Sequence, residues 1–254
     1  MTLDVIASPL LAPVTHGFFG RAGGASSGVF AGLNCGGGSS DQAEAVRINR
    51  ARVAAHMGVA PEALLGVHQV HGTQVVTVEG PPEPGHPRAR ADALVTAEPG
   101  LALSVLTADC QPVLFADPVA GVVGAAHAGW RGTVAGVLEA TVAAMERLGA
   151  RAGDVRAVIG PAISQRAYEV GPEFRDAVLA ADPGAARHFA GGEGDRLHFD
   201  LPGYGVARLT AAGLGEVAWT HCCTYSDAGR FFSYRRSVHA READYGRLVA
   251  AIRL

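Results

Sequence analysis

The sequence predicts an α+β fold in which mixed β-sheets are flanked by helices. Two observations carry this reading. Strand-like segments outnumber helical ones, and many of them follow one another through short turns, as hairpins do. The regular β-α alternation that a doubly wound sheet requires is missing from the middle of the chain.

The elements read in order as follows. HGFFG (16–20) is a short apolar strand that opens into a Gly/Ser-rich loop. DQAEAVRINRARVAAHMG (41–58) is a helix, with Asp41 and Glu44 as a capping-box variant and Gly58 as the stop. Residues 67–78 are rich in Val and Thr, as strands are. GPPEPGHPRAR (80–90) is a surface loop between strands. ADALVT (91–96) and LALSVLTAD (101–109) are strands around a Glu98-Pro99-Gly100 turn. PVLFAD (112–117) and GVVGAAHAG (121–129) form a hairpin about Pro118-Val119-Ala120. TVAGVLEATVAAMERLG (133–149) is a helix, because Val134, Val137, Leu138, Thr141, Val142, Met145 and Leu148 recur at helical spacing. VRAVIGPAI (155–163) is a buried strand and GPEFRDAVLAAD (171–182) a helix. Asp200 caps a further helix that has Pro202 near its start. EVAWTHCCTYSD (216–227), RFFSYRR (230–236) and GRLVAAIRL (246–254) read as strands with aromatic anchors.

The totals bound the function. The chain of 254 residues is 48% hydrophobic and only 18% charged, which fits one packed domain over residues 1–254 and not a solvated tail. A net charge of −3 gives no electrostatic footprint for nucleic acid or an anionic membrane. The N-terminus lacks a basic n-region and carries Asp4, so it reads as mature protein; no uncharged apolar run of membrane-spanning length occurs. The cysteines are Cys35, Cys110, Cys222 and Cys223, and the adjacent pair makes no easy disulfide. This points to free thiols in a reducing cytoplasm.

Three residues stand out as a metal-ligand set: His71, Cys110 and His127. Each lies at the edge of an expected strand beside Gly or Pro, where a rigid scaffold presents functional groups. Imidazole and thiolate both ligate zinc, and three protein ligands leave the fourth position open, as in catalytic sites. The spacing alone also allows blander readings, in which the cysteine packs as a small core residue and the histidines are satisfied polar groups. A metal-free Cys110–His nucleophile pair is a further reading of the same residues. Arg131 precedes an expected helix, whose N-terminus together with the guanidinium fork could take an anion beside the metal. Its alternative is an ion pair with Asp109 or Asp92. Asn34 and Gly36-Gly37-Gly38 precede the helix carrying Arg47 and Arg50, and glycine there permits close approach of a ligand. Phosphate-loop and dinucleotide motifs are absent.

The stretches HGFFGRAGGASSG, LNCG, VHQVHGTQV, ADALVT, LTADCQPVLF, AAHAGWRGT, IGPAI, CTYSD and FFSYRR, in this order, resemble the laccase-domain proteins over nearly the whole chain. That family was first called multicopper polyphenol oxidase and later reassigned as purine nucleoside phosphorylase; the pair TADC and HAGWRGT is specific to it. The resemblance implies a zinc site on His71, Cys110 and His127. It implies phosphorolysis of adenosine, inosine, guanosine and methylthioadenosine, with adenosine deamination as a further activity. It also implies a fold similar to the cytotoxic necrotising factor deamidases. The partners are then a small nucleoside and phosphate, with no nucleic acid, membrane or obligate protein partner. On this reading phosphate docks near Arg131, with Asn34 and Arg47 as further substrate contacts, and Asp109 shuttles protons or orients a ligand. Copper fits less well than zinc. A laccase needs four coppers and many His ligands, usually in His-x-His pairs, whereas this chain has 10 His and no such pair. The alternatives are a zinc amidohydrolase that edits serine-containing peptidoglycan precursors, a polyphenol oxidase, and a non-catalytic metal-binding module.

Overall fold

The computed structural model describes residues 2–81 and 87–254. Among these, the strands form sheets of six, five and three strands, so the expected mixed sheets flanked by helices are what the chain builds. The six-stranded sheet runs in the order Glu216–Trp219, Arg156–Ile159, Gln111–Asp117, Val122–Ala128, Ala93–Thr96, Val75–Thr77. Its centre is the expected hairpin about Pro118-Val119-Ala120, and a parallel pair lies at each edge. The five-stranded sheet runs Val5–Ile6, Thr15–Phe19, Leu248–Arg253, Ala102–Thr107, Leu64–Leu65, with the C-terminal strand in the middle.

Alternation along the strands decides how these sheets stack. Leu94, Leu114, Val123 and Val158 of the larger sheet meet Phe18, Leu103, Val105 and Ile252 of the smaller one, forming the core between two sheets packed face to face. The other face of the larger sheet, with Val95, Val113 and Phe115, is covered by Val137–Arg147 through Leu138, Val142 and Met145, and by Leu209 of Leu201–Ala211. The other face of the smaller sheet, with Phe19, Val249 and Ala251, is covered by Ala43–His56 through Val53 and Ala54. The order is therefore helix, sheet, sheet, helix. Because both of its faces are covered, the central hairpin is buried at every position of both strands. The third sheet, Glu169–Val170, Leu197–Phe199 and Phe189–Gly191, sits beside Pro172–Ala181 over an aromatic cluster that includes Trp130, Tyr168, Phe174 and Phe199.

The structure departs from the sequence reading at several elements. The stretch 67–78 is strand only at Val75–Thr77, because Asp92 captures the amides of residues 70–72 and His71 turns into the left-handed region at φ 60. The strands at 91–96 and 101–109 do not pair. Gly100, with φ 81, turns the chain from one sheet into the other. The helix expected over 133–149 starts at Trp130 and breaks at Gly136, whose φ is 100, into Trp130–Ala135 and Val137–Arg147. Asp41 does not cap its helix, which begins at Ala43 after Gln42; the carboxylate instead accepts from Asn34 Nδ2 at 2.9 Å. RFFSYRR is not a strand: Phe231 and Phe232 are buried anchors, and Ser233 then accepts from the Arg236 amide and starts the helix Tyr234–Ala240. Of EVAWTHCCTYSD only Glu216–Trp219 is strand. The loop read over 80–90 lies partly outside the described residues, at 82–86.

Candidate metal centre

The hairpin register builds two thirds of the site. Gln111 pairs with Ala128 and Pro112 with His127, so Cys110, one residue before the first strand, lies at the same sheet end as His127. His71 reaches the same point from the irregular stretch before Val75–Thr77. The ligand atoms of His71, Cys110 and His127 all lie within 4.8 Å of one another. The His71 and His127 rings meet edge to face, with centroids 4.7 Å apart. His71 is exposed, Cys110 half-buried and His127 buried, so the trio opens to one side.

Asp92 holds two of the three in place. It is fully buried at the start of Ala93–Thr96. Its Oδ1 accepts from His127 Nδ1 at 2.8 Å and from the His71 amide at 2.9 Å, and its Oδ2 accepts from the Gly72 amide at 2.6 Å. An ionised carboxylate only accepts, so His127 carries its proton on Nδ1 and turns Nε2 to the trio. Burial opposes the Asp92 charge, but the His127 ring and the Gly72 and His71 amides outweigh it and keep the carboxyl below the usual range. Burial likewise opposes a Cys110 thiolate, yet the neighbouring His127 and His71 rings lower this thiol. The same contacts, with Asp92, raise His127 against its burial. The site thus favours a Cys110 thiolate beside a protonated His127. Gly129 completes the cradle: a Cβ there would lie 2.9 Å from Cys110 Sγ and 3.1 Å from His71 Cδ2.

Two ordinary residues take left-handed backbone at this point, His71 at φ 60 and Asp109 at φ 81. Such strain costs on the order of 1–3 kcal/mol per residue and must be held by its surroundings. Asp92 holds His71. Asp109 is held through its carbonyl, which accepts from the Ile163 amide at 3.0 Å. Its carboxylate accepts from the Thr224 hydroxyl and the Arg235 amide, both at 2.6 Å.

His71, Cys110 and His127 line a cleft of about 610 Å³, in the range of small-molecule sites. Its walls include Gly36–Gly38, His68, Leu106, Arg88, Arg90 and Arg247. The other residues singled out in the sequence fall elsewhere. Arg131 does not line the cleft; its guanidinium lies 4.5 Å over the Trp130 ring, and it pairs with neither Asp109 nor Asp92. Asn34 is fully buried and spends its side chain on its own loop and on the Arg247 amide. Its Oδ1 accepts from the Gly36 and Arg247 amides, and its Nδ2 donates to Ser39 and Asp41. Arg47 is exposed and pairs with Glu44 at 2.6 Å on its own helix. Asp109 does not line the cleft. Asp92 is the residue that sequence reasoning undervalued. Its signal was a carboxylate beside an otherwise apolar strand, since a buried charge must be paired.

The sequence and the fold have known relatives. The family model described as multi-copper polyphenol oxidoreductase laccase matches residues 15–254. A purine nucleoside phosphorylase of Deinococcus radiodurans is 44% identical over 99% of this chain and 93% of its own length. A purine nucleoside phosphorylase of Streptomyces griseus is 45% identical over 89% of this chain and 92% of its own. The crystal structure of Neisseria meningitidis protein NMB0706 superposes with a TM-score of 0.87 at 36% identity, covering 100% of this chain and 99% of that one. The family model's match over residues 15–254 and relatives 44% and 45% identical over most of the chain place it in the laccase-domain family.

Proposed function

We propose that the chain is a zinc-dependent purine nucleoside phosphorylase acting on adenosine, inosine, guanosine and methylthioadenosine, with adenosine deamination as a second activity. The observation that carries this is the His71–Cys110–His127 trio lining a cleft of about 610 Å³. The names of the relatives in Deinococcus radiodurans and Streptomyces griseus support the reaction class.

The donor set fits zinc: two imidazoles, one lowered thiol, and a carboxylate on the second nitrogen of a ligand histidine, the usual backing of such ligands. It does not fit a multi-copper cluster, because it is the one group of three or more closely spaced ligand side chains among the described residues. Bound zinc would supply Lewis-acid polarisation of a substrate atom. The chain's own residues do the rest. Cys110 and His127 hold their ligand atoms toward the cleft, and Asp92 fixes the His127 tautomer and the 70–72 turn. Asp109 acts as a positioning residue: its carboxylate, held by Thr224 and Arg235, keeps the left-handed turn that aims Cys110. Leu106 and Ala108 give the cleft an apolar flank for a planar base. In phosphorolysis an oxygen of hydrogenphosphate bonds to ribose C1′ while the C1′–N bond breaks. The phosphate proton ends on the departing purine nitrogen, so charge and atoms balance. The four free thiols support a reducing, cytoplasmic setting. The molecule is read as one domain across residues 1–254.

The test incubates purified protein with adenosine, with and without phosphate, and measures ribose 1-phosphate, adenine and inosine. Phosphate-dependent adenine release is expected. Turnover of a serine-bearing peptidoglycan precursor and of no nucleoside would replace this reading with an amidohydrolase.

A further inference from the structure

The cleft carries a charge pattern that the whole chain does not. Net charge over the sequence is −3. Yet the described lining of the cleft contains Arg88, Arg90 and Arg247 and no carboxylate. An uncharged nucleoside needs no such concentration of guanidinium groups, whereas a dianion is favoured by it.

Arg247 is placed with care. Its amide donates to Asn34 Oδ1 at 2.9 Å, and its carbonyl accepts from the Cys35 amide at 3.1 Å. Its aliphatic stem lies on Gly36, where a Cβ would collide with its Cδ. Its Nη1 donates to Asp244 Oδ1 at 3.1 Å and to the Tyr245 carbonyl at 2.8 Å, and its guanidinium lies 4.1 Å over the Tyr245 ring. Nε and Nη2 have no hydrogen-bond partner among the described residues. Arg90, which lines the same cleft, is held by its backbone: His68 bridges to it, and the Ala91 amide donates to the His68 carbonyl at 3.1 Å. Gly37 and Gly38 are exposed in the same cleft, and their amides donate to no described group.

We propose that Arg88, Arg90 and Arg247, over the Gly36–Gly38 loop, form a binding site for free inorganic phosphate. The inference rests on the phosphorylase reading and moves the anion away from Arg131. Guanidinium forks match the tetrahedral oxygens of phosphate, and free backbone amides complete such a nest. Asp244 and Tyr245 hold one edge of the Arg247 fork, so little side-chain freedom is lost on binding. The site and the zinc ligands share one cleft, which is what an attack of phosphate on a nucleoside held between them requires.

The test titrates inorganic phosphate, and separately adenosine monophosphate, into the metal-loaded protein by calorimetry and follows phosphorolysis with phosphate varied. It uses an Arg88→Gln/Arg90→Gln double variant, whose positions are exposed, and Arg247→Lys. Phosphate Kd and phosphate KM are expected to rise roughly tenfold or more in the double variant, with adenosine KM within about twofold and the melting temperature unchanged. A smaller rise in the same direction is expected for Arg247→Lys. Unchanged phosphate binding in both variants, or binding of adenosine monophosphate but not of phosphate, overturns the inference. If the wild type performs no phosphorolysis, the enzymatic reading falls by itself. The calorimetric comparison then still decides the subsite, supporting it if the variants lose phosphate and overturning it if they do not.

Discussion

At the scale of residues, the site depends on a carboxylate that touches no substrate. Asp92 ties His127 and the 70–72 amides to one buried point. Replacing it by Asn keeps shape but loses charge, so Asp92→Asn should weaken metal binding roughly 10–100-fold. Competition with a chelator measures this, and unchanged affinity would remove Asp92 from the account. Gly129 makes an independent prediction. A methyl there would crowd Cys110 Sγ and His71 together, so Gly129→Ala should keep the fold and lose metal affinity by about tenfold or more. Circular dichroism and metal titration separate the two effects. The trio was singled out in the sequence by strand ends beside Gly and Pro, which made it one reading among several, and by the family resemblance that TADC and HAGWRGT carry. Arg131, Asn34 and Arg47 do not line the cleft, and sequence spacing does not show which groups a neighbour has already taken. Trp130 takes the first, the 34–41 loop the second and Glu44 the third.

At the scale of elements, the central hairpin sets the site, and its burial sets its stability. Phe115 is fully buried between this sheet and its covering helices. Phe115→Ala should cost about 3–5 kcal/mol in denaturant unfolding, and a loss near zero would contradict the layer order described. The Gly36–Gly38 loop is tied to the 244–247 turn by Asp244, which accepts from the Ser40 amide at 2.7 Å. Burial opposes this carboxylate's charge, but the Ser40 and Tyr245 amides, the Ser40 hydroxyl and Arg247 keep its pKa low. A depressed carboxyl stabilises the fold above its unfolded pKa of about 3.9 and loses that contribution as pH falls through the folded value. Wild type should therefore exceed Asp244→Asn by no more than about 1 kcal/mol at neutral pH, with the gap closing below about pH 4. A gap that widens on acidification would reverse the assignment. The hairpin and the helices with one-sided apolar spacing were legible, since period is visible in a single chain. RFFSYRR was not, because buried aromatics suit a strand or a loop anchor equally, and only the Ser233 cap tells them apart. The fate of 67–78 was hidden for another reason. Its Val and Thr content favours a strand, but the carboxylate that competes for its amides lies far along the chain.

At the scale of the whole molecule, two sheets packed face to face and covered by helices make the metal centre a property of the fold and not of a mobile loop. Strands and their adjoining turns from across the larger sheet converge at one end, where Cys110, His127 and the Asp92 anchor meet His71. Family membership follows from the match over residues 15–254, while the proposed reaction is a matter for assay. The sequence motifs foretold the trio and the α+β class, but the stacking of the sheets needed three-dimensional pairing to be seen. The most direct test is elemental analysis of the purified wild type beside His71→Ala, Cys110→Ala and His127→Ala, each checked for native folding. A single zinc ion per chain in the wild type, lost or severely depleted in every variant, is the predicted result. Folded variants that retain a stoichiometric metal would contradict the site.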